Sequence, residues 1–377
     1  MIENFNIKKL RRISASRYAA LKECVLRECL NASGQKALIP ASPSAELGNV
    51  IHVLFEKAGR GELGDPTSRK IAEVWTRLIR SAEEKMSRSW LSAPLVPLNK
   101  SIKDFEVRKI RACKRAMEIA QCAKNAHSQL DKKSLGRQSC EIWVVTNDGT
   151  VGGYIDRAVD TKKGIKIIDY KSGAILENCI SRGPLKLKES YKIQLQLYAA
   201  LYWSTFGIWP VALEIVPLHG ASVKIDYTPE KAEKLLCDAR RLLYDVNRKI
   251  ADVQEGRYDI SVLASAHAKN CRYCLFRPGC NSYWNARSLN IKQNWPHDIR
   301  GELINKMRLK NGKLCLKVVS DSEEKILNIR DIIDSSTRHP SLRSLLVGNK
   351  LAVFGLKFVH RTQNYCETDR TVIYAFN

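Results

Sequence analysis

Acidic and aromatic residues are both scarce in this chain of 377 residues. Asp and Glu number 39 against 63 Lys and Arg, a net charge of +24, and Phe, Trp and Tyr make up only 7%. The acid deficit favours polyanionic partners, because each cation that meets a phosphate releases a condensed counterion. Nucleic acid is the commonest polyanion in a cytoplasm. Long apolar runs are absent as well. The strongest, GIWPVALEIVPL, is short and carries Glu214, whereas a bilayer-spanning helix needs roughly 18–20 apolar residues. No basic helix carries the aromatic face that would hold it on acidic lipid. The N-terminal MIENFNIKKLRRIS has a basic patch but no apolar core of a secretory signal, so a cytoplasmic protein is expected. No Walker A pattern occurs. An ATP motor is therefore not expected within the chain, and any unwinding would come from a helicase or other ATPase partner. Repeats and low-complexity tracts are also missing.

Cysteine is plentiful by contrast, with twelve residues. In a cytoplasm these are not a disulfide framework. Cys113, Cys122, Cys140, Cys179, Cys237, Cys315 and Cys366 stand singly and are expected as small buried hydrophobes. Three others cluster in CRYCLFRPGC, with the spacing Cys271-x2-Cys274-x5-Cys280. Two thiols so spaced bite a metal from one turn, and the third nearly completes a tetrathiolate site. A fourth ligand must come from elsewhere.

The pattern along the chain is that of an α/β protein. Residues 14–30 read as one capped helix, and 45–58 as a second, amphipathic one. Residues 66–134 are helical in pattern, interrupted near LSAPLVPL and rich in Lys and Arg in their second half. That basic stretch is either a solvated face or the lining of a groove. Segments 140–146, 151–160 and 165–171 alternate or run apolar about Asn-Asp-Gly and Lys-Lys-Gly, which predicts a three-stranded antiparallel meander. A helix at 190–206, strands at 211–217 and 222–227, and a helix at 229–255 follow. Beyond about 290, strands in INKMRLKNGKLCLKVVS, KLAVFGLKFVH and TVIYAFN and a short helix in HPSLRSLLVG suggest a small β-barrel of OB type.

One constellation carries chemistry. Asp156 ends a strand in GGYIDRA, and Asp169 lies on the next strand in IIDYKSG. Strands joined by a short turn set two such residues face to face, and the period of two puts Lys171 on the face of Asp169. Two adjoining carboxylates repel unless a divalent cation lies between them. A lysine beside that cation can hold a phosphate oxygen or orient water, which is the chemistry of metal-assisted phosphodiester hydrolysis. The D-x-K triplet alone has little weight. His52, on GNVIHVLFEKA, is a core histidine or a member of this site. Gln194 and Tyr198, four apart on the otherwise apolar helix YKIQLQLYAALYW, form a polar stripe that needs a buried partner or contacts the site.

Together these segments resemble the RecB-like branch of the PD-(D/E)XK nuclease superfamily, in particular its iron–sulfur members. The AddB nuclease domain and the nucleases of CRISPR adaptation modules are of that type. The resemblance spans roughly residues 12–285 and rests on SASRYAALKEC, GNVIH, GGYIDRA, IIDYKSG, QLQLY and the cysteine cluster, in that order. It implies a restriction-endonuclease-like core over 1–287, with a helical insertion at about 66–134, followed by a separate module at 288–377. It implies Mg²⁺ or Mn²⁺ on Asp156 and Asp169 with His52 at or beside the metal, and Lys171 acting on the nucleophile and the scissile phosphate. Gln194 and Tyr198 would support the site and touch DNA. Cys24, with Cys271, Cys274 and Cys280, would hold a [4Fe–4S] cluster; Cys29 is the substitute for Cys24, and zinc the alternative metal. The sequence departs from the family in three places. Val25 follows Cys24 where proline is common, Ile155 precedes Asp156, and Asp169 stands in place of glutamate. The expected activity is that of a DNA nuclease acting on single-stranded or end-containing DNA in repair, recombination or phage defence. A DNA-holding subunit that does not cleave is the alternative. Tyr365, Phe354, Phe358 and Tyr374 are candidates for base stacking in the C-terminal module.

Overall fold

The computed structural model describes residues 5–128, 139–177, 185–290, 293–322 and 325–376. Its first part begins with a two-residue strand, β1 (Ile13–Ser14), and the helices α1 (Tyr18–Glu23), α2 (Val25–Ala32) and α3 (Pro43–Gly59). The single helix expected over 14–30 is thus broken. Cys24 adopts an extended conformation, φ −161° and ψ 106°, and caps both α1 and α2. Helices α4 (Ser68–Ser87), α5 (Leu98–Ser101) and α6 (Phe105–Ser128) form the basic helical segment. Its expected end at 129–134 lies outside the described residues, as does Cys179. Ser42 starts α3 by accepting from Ala45 N at 3.3 Å with proline at the next position, the favoured way to satisfy the free N–H groups of a first turn.

The meander is present as β2 (Ser139–Val145), β3 (Val151–Thr161) and β4 (Gly164–Lys171). A small hairpin, β5 (Leu176–Glu177) with β6 (Lys186–Leu187), leads to α7 (Glu189–Phe206), β7 (Ala212–Pro217), β8 (Val223–Ile225) and α8 (Pro229–Gln254). The sheet order is β1-β3-β4-β7-β8, with β2 on the other edge of β3. β1 pairs with β3 in parallel, and so does β4 with β7. Helices α1, α2, α7 and α8 bury one apolar face of this sheet, and α3 to α6 bury the other. Tyr170 points into the second layer, 5.2 Å from the Phe55 ring. Its strand neighbours Asp169 and Lys171 therefore face the first layer and α7, as alternation requires.

Short helices α9 (Ala268–Cys271) and α10 (Asn281–Leu289) enclose the cysteine loop. The second sheet contains β9 (Ile299–Arg308), β10 (Leu314–Ser320), β11 (Ile326–Ile332), β12 (Lys350–Phe354), β13 (Lys357–Val359), β14 (Asn364–Cys366) and β15 (Val372–Phe376). It runs β13-β14-β11-β10-β9-β12-β15. This corrects the expected barrel: β13 and β15 end the path and do not pair, so the described strands form an open sheet. The short helix expected in HPSLRSLLVG is only a 3₁₀ turn, Pro340–Leu342. Phe354 is fully buried against Trp284 and Tyr374, which removes it as a stacking surface. A buried ion pair joins the two parts. Arg277, inside the cysteine loop, meets Asp298 at 2.6 Å, and Tyr283 and the Gly355 N–H donate to the same carboxylate.

The single cysteines correct another expectation. Cys315 is buried, Cys113, Cys140 and Cys366 are half-buried, and Cys122 and Cys237 are exposed. Cys122 lies beside the buried stripe of α6 formed by Ala116, Ile119 and Ala123, and Cys237 lies one step off that of α8. Helical period, not residue type, decides their exposure.

Candidate active site

A gap in strand pairing makes the site. The β3–β4 ladder runs from Thr161–Gly164 to Arg157–Ile168 and stops there. One further rung in the same register would set Asp156 opposite Asp169. On the other edge of β3 the pairing passes from Cys140–Arg157 to Ile142–Ile155 and skips Glu141 with Asp156. Glu141 has a φ of 53°, a region costly to a residue with a side chain. Asp156 thus sits where β3 loses both neighbours. Its Oδ2 accepts from Tyr170 N at 2.7 Å, a donor released from the ladder.

Asp169 is 1% exposed, so its contacts decide its chemistry. Gln194 Nε2 donates to Asp169 Oδ1 at 2.8 Å, and Lys171 Nζ donates to Gln194 Oε1 at 3.1 Å. The amide of Gln194 therefore clamps the acid and the lysine together. Lys171 Nζ also lies 2.8 Å from Asp169 Oδ2. That contact is an ion pair rather than an aligned hydrogen bond, for Oδ2 accepts none and is buried. Above the ammonium lies the Tyr191 ring, 4.8 Å away.

These charges perturb one another. Burial, and then the charge of Asp169, holds the Asp156 carboxyl well above the usual range. Burial alone would lower the Lys171 ammonium, but Asp169 reverses this and keeps it above its ordinary value. His52 stands on α3, near enough for both charges to act on its imidazole. Burial and the Lys171 charge hold its imidazole below the ordinary value, with Asp169 opposing. α3 comes this close because position 48 is glycine: a Cβ there would lie 2.9 Å from Ser172 Oγ. Tyr198 lies one turn after Gln194 on α7, and its ring packs on Gly153, where a Cβ would meet Cε1 at 3.2 Å. All six residues expected at the site, Asp156, Asp169, Lys171, His52, Gln194 and Tyr198, thus belong to one neighbourhood. Sequence reasoning missed Glu141 and Tyr191. Tyr191 was legible in principle, being three residues before Gln194 on one helical face. Glu141 carried no local signal.

Cys24, Cys271, Cys274 and Cys280 line one small cavity of about 20 Å³. The break at Cys24 turns that thiol inward, and Asn270 Nδ2 fixes the joint by donating to Glu23 O at 2.7 Å. Burial, then the neighbouring thiols, push Cys271 up to about 12; burial first also pushes Cys280 up to about 11 and raises Cys274. Cys29 is fully buried in the core and does not line this cavity. Among the described residues no three His, Cys, Asp or Glu side chains close on a point as a metal shell would. At the aspartates the reason is visible: Asp156 turns to Tyr170 N, and Lys171 lies against Asp169 Oδ2. The donor sets nevertheless suit two kinds of metal. A buried carboxylate oxygen without a hydrogen bond, beside a second carboxylate, suits a hard divalent cation. Four thiols in an apolar cavity suit a soft one or an iron–sulfur cluster.

The family model of the PD-(D/E)XK nuclease superfamily matches residues 12–281. The chain belongs to that superfamily, whose members are in general phosphodiester-cleaving, metal-dependent nucleases. No curated protein matches it. No helix among the described residues is long and apolar enough to cross a membrane.

Proposed function

We propose that the protein is a Mg²⁺- or Mn²⁺-dependent deoxyribonuclease that hydrolyses phosphodiester bonds in single-stranded or end-containing DNA. The observation that carries this reading is the buried Asp169–Gln194–Lys171 clamp facing Asp156 across a broken ladder. Asp156 and Asp169 would hold the cation, with His52 beside it. The cation supplies charge neutralisation at the phosphate and a more acidic attacking water. Lys171, kept protonated by Asp169, is placed to hold a phosphate oxygen or orient that water. Gln194 orients both charged groups, and Tyr198, buried one turn further along α7, packs beneath them on Gly153. Tyr191 covers the ammonium and keeps solvent off it.

The four cysteines of the common cavity would carry a [4Fe–4S] cluster, which ties α1 and α2 to the loop at 271–280. The supporting observation is that the four cysteines line one apolar cavity between the N-terminal helices and that loop. The C-terminal sheet adds nucleic-acid contacts, and a separate helicase or other ATPase would open duplexes in repair, recombination or defence.

The test uses anaerobically purified protein, labelled single- and double-stranded DNA, and Mg²⁺ or Mn²⁺, beside Asp169→Ala. Cleavage that needs the metal and is lost in the variant is the expected result. DNA bound without cleavage under every metal would refute the enzyme and leave a DNA-holding subunit. For the cluster, a brown protein absorbing broadly near ~400 nm is expected. A colourless protein with stoichiometric zinc would replace iron–sulfur by zinc.

A further inference from the structure

Three clefts follow one another along the seam between the nuclease core and the C-terminal sheet, and none contains a residue of the candidate active site. The middle cleft measures about 620 Å³. It shares Ile39 and Pro40 with a cleft of about 850 Å³ on one side. On the other side it shares Trp295 and His297 with one of about 190 Å³.

The seam is rich in cations that lack counter-charges. Arg88 and Arg272 are exposed and make no ion pair among the described residues. Arg272 Nη2 meets only a carbonyl, Asn294 O at 3.0 Å, and Arg370 Nη2 meets Pro40 O at 3.4 Å. Arg370 Nε is buried without a partner. Burial first, and then the adjoining Arg277, hold its guanidinium below the ordinary value, with Asp298 opposing. Asp369 and Glu46 are the acids lining these clefts. Aromatic surface lies in the same channel: Trp90 and Tyr374 meet edge to face at 6.2 Å in the largest cleft. Cations that follow a groove, with aromatic faces between them, are what a single strand needs for its phosphates and bases. A duplex keeps its bases stacked inside and would leave those aromatic faces unused.

We propose that this seam is a binding track for single-stranded nucleic acid, with phosphates on Arg88, Arg272 and Arg370 and a base against Trp90 and Tyr374. Its purpose rests on the nuclease reading above. α3 connects the two places: Pro43 lines the middle cleft, and His52 lies about 13 Å further along the helix at 1.5 Å per residue. A strand seated in the seam would reach the active site within a few nucleotides.

The test compares the full-length protein with Arg88→Glu/Arg272→Glu, and with Arg248→Glu/Lys249→Glu on the exposed face of α8 as a control of equal net charge. Binding of a labelled oligothymidylate is measured without divalent metal, across a salt series, after unchanged melting has shown that each variant is folded. The seam variant is expected to bind at least about tenfold more weakly. Its salt slope should shrink by about 1.4, or about 0.7 for each lost phosphate contact. The α8 control should stay within about threefold of the parent. Parent-like binding by the seam variant, equal loss in the control, or a parent that prefers duplex would each overturn the proposal. Hydrolysis of bis(p-nitrophenyl) phosphate, which needs only the active site, separates this outcome from the nuclease reading. A seam variant that hydrolyses it like the parent but binds the oligonucleotide weakly supports the track. A parent that binds single strands through the seam but cleaves nothing leaves the track standing and refutes the nuclease.

Discussion

Replacing Gln194 by leucine removes both ends of the amide clamp while keeping the bulk of the side chain. Gln194 is 6% exposed, so water would not take over its hydrogen bonds. It loses the 2.8 Å bond to Asp169 Oδ1 and the 3.1 Å bond from Lys171 Nζ. A hydrogen bond to a charged group contributes about 1.5–3 kcal/mol, so the clamp holds the pair with roughly 3–6 kcal/mol. Part of this survives, because the Lys171–Asp169 ion pair at 2.8 Å does not pass through the amide. If about half is lost from the transition state, kcat falls by about 10- to 10²-fold at 1.4 kcal/mol per decade. The assay is steady-state cleavage of a single-stranded oligonucleotide with a Mg²⁺ titration at each substrate level. Gln194→Leu should raise the Mg²⁺ concentration for half-maximal rate, since Asp169 is no longer aimed, while a purely structural role would lower melting alone. Gln194→Glu should be worse at neutral pH, because a second carboxylate then faces Asp169. A Gln194→Leu protein with kcat within about threefold of the parent and an unchanged metal requirement would refute the clamp.

Three further outcomes follow from other parts of the structure. Cys24→Ser should lose the cluster's visible absorption and its iron, whereas Cys29→Ser, whose thiol does not line the common cavity, should keep both; the reverse result would exchange the two ligands. Asp298→Ala strands the buried Arg277 charge and should cost about 3–5 kcal/mol in urea unfolding, while Arg277→Met with Asp298→Leu should cost far less; equal losses would show that the pair is not the cause. At Asp148 burial opposes ionisation, yet hydrogen bonds from Thr146 and Thr150 and the charge of Arg240 pull the carboxyl down to about 2. A folded value below the unfolded one of about 3.9 gives stability that is present above about pH 4 and lost as pH falls toward about 2. Asp148→Asn should therefore be less stable than the parent at pH 7 and converge with it near pH 2 in thermal melts.

Much of the first sheet was legible because its turns announce themselves. Asn147-Asp148-Gly149 leaves Gly149 at φ 70°, and Gly164 sits at φ 118°, conformations that glycine adopts freely. Period two then put Asp169 and Lys171 on one face and Tyr170 on the other, as found. β1 was not legible, since two residues carry no periodicity and their partner lies at Val151–Gly152. The break at Cys24 was hidden by an otherwise continuous helical pattern, and long-range bonds between Asn270 and both Glu23 and Arg27 hold it. β11 went unread because a register shift and Asp331 at φ 61° break its alternation, and the open order of the second sheet depends on its parallel pairing with β14. At the candidate site, spacing and the family resemblance together pointed to Asp156, Asp169, Lys171 and Gln194, which the structure sets close to one another. The ladder gap that brings Asp156 and Asp169 together was not legible, because it arises from pairings on both edges of β3.

The joint between Glu23 and Asn270 spans 247 residues, and this has a consequence for synthesis. At about 5–20 residues per second, α1 and α2 wait roughly 12–50 s before the loop that receives them has been made. Meanwhile Tyr18, Leu21, Leu26 and Leu30, all buried in the finished protein, have no partner surface from that end of the chain. Until translation has passed residue 280, the first cysteine also lacks the loop with which it shares a cavity in the folded protein.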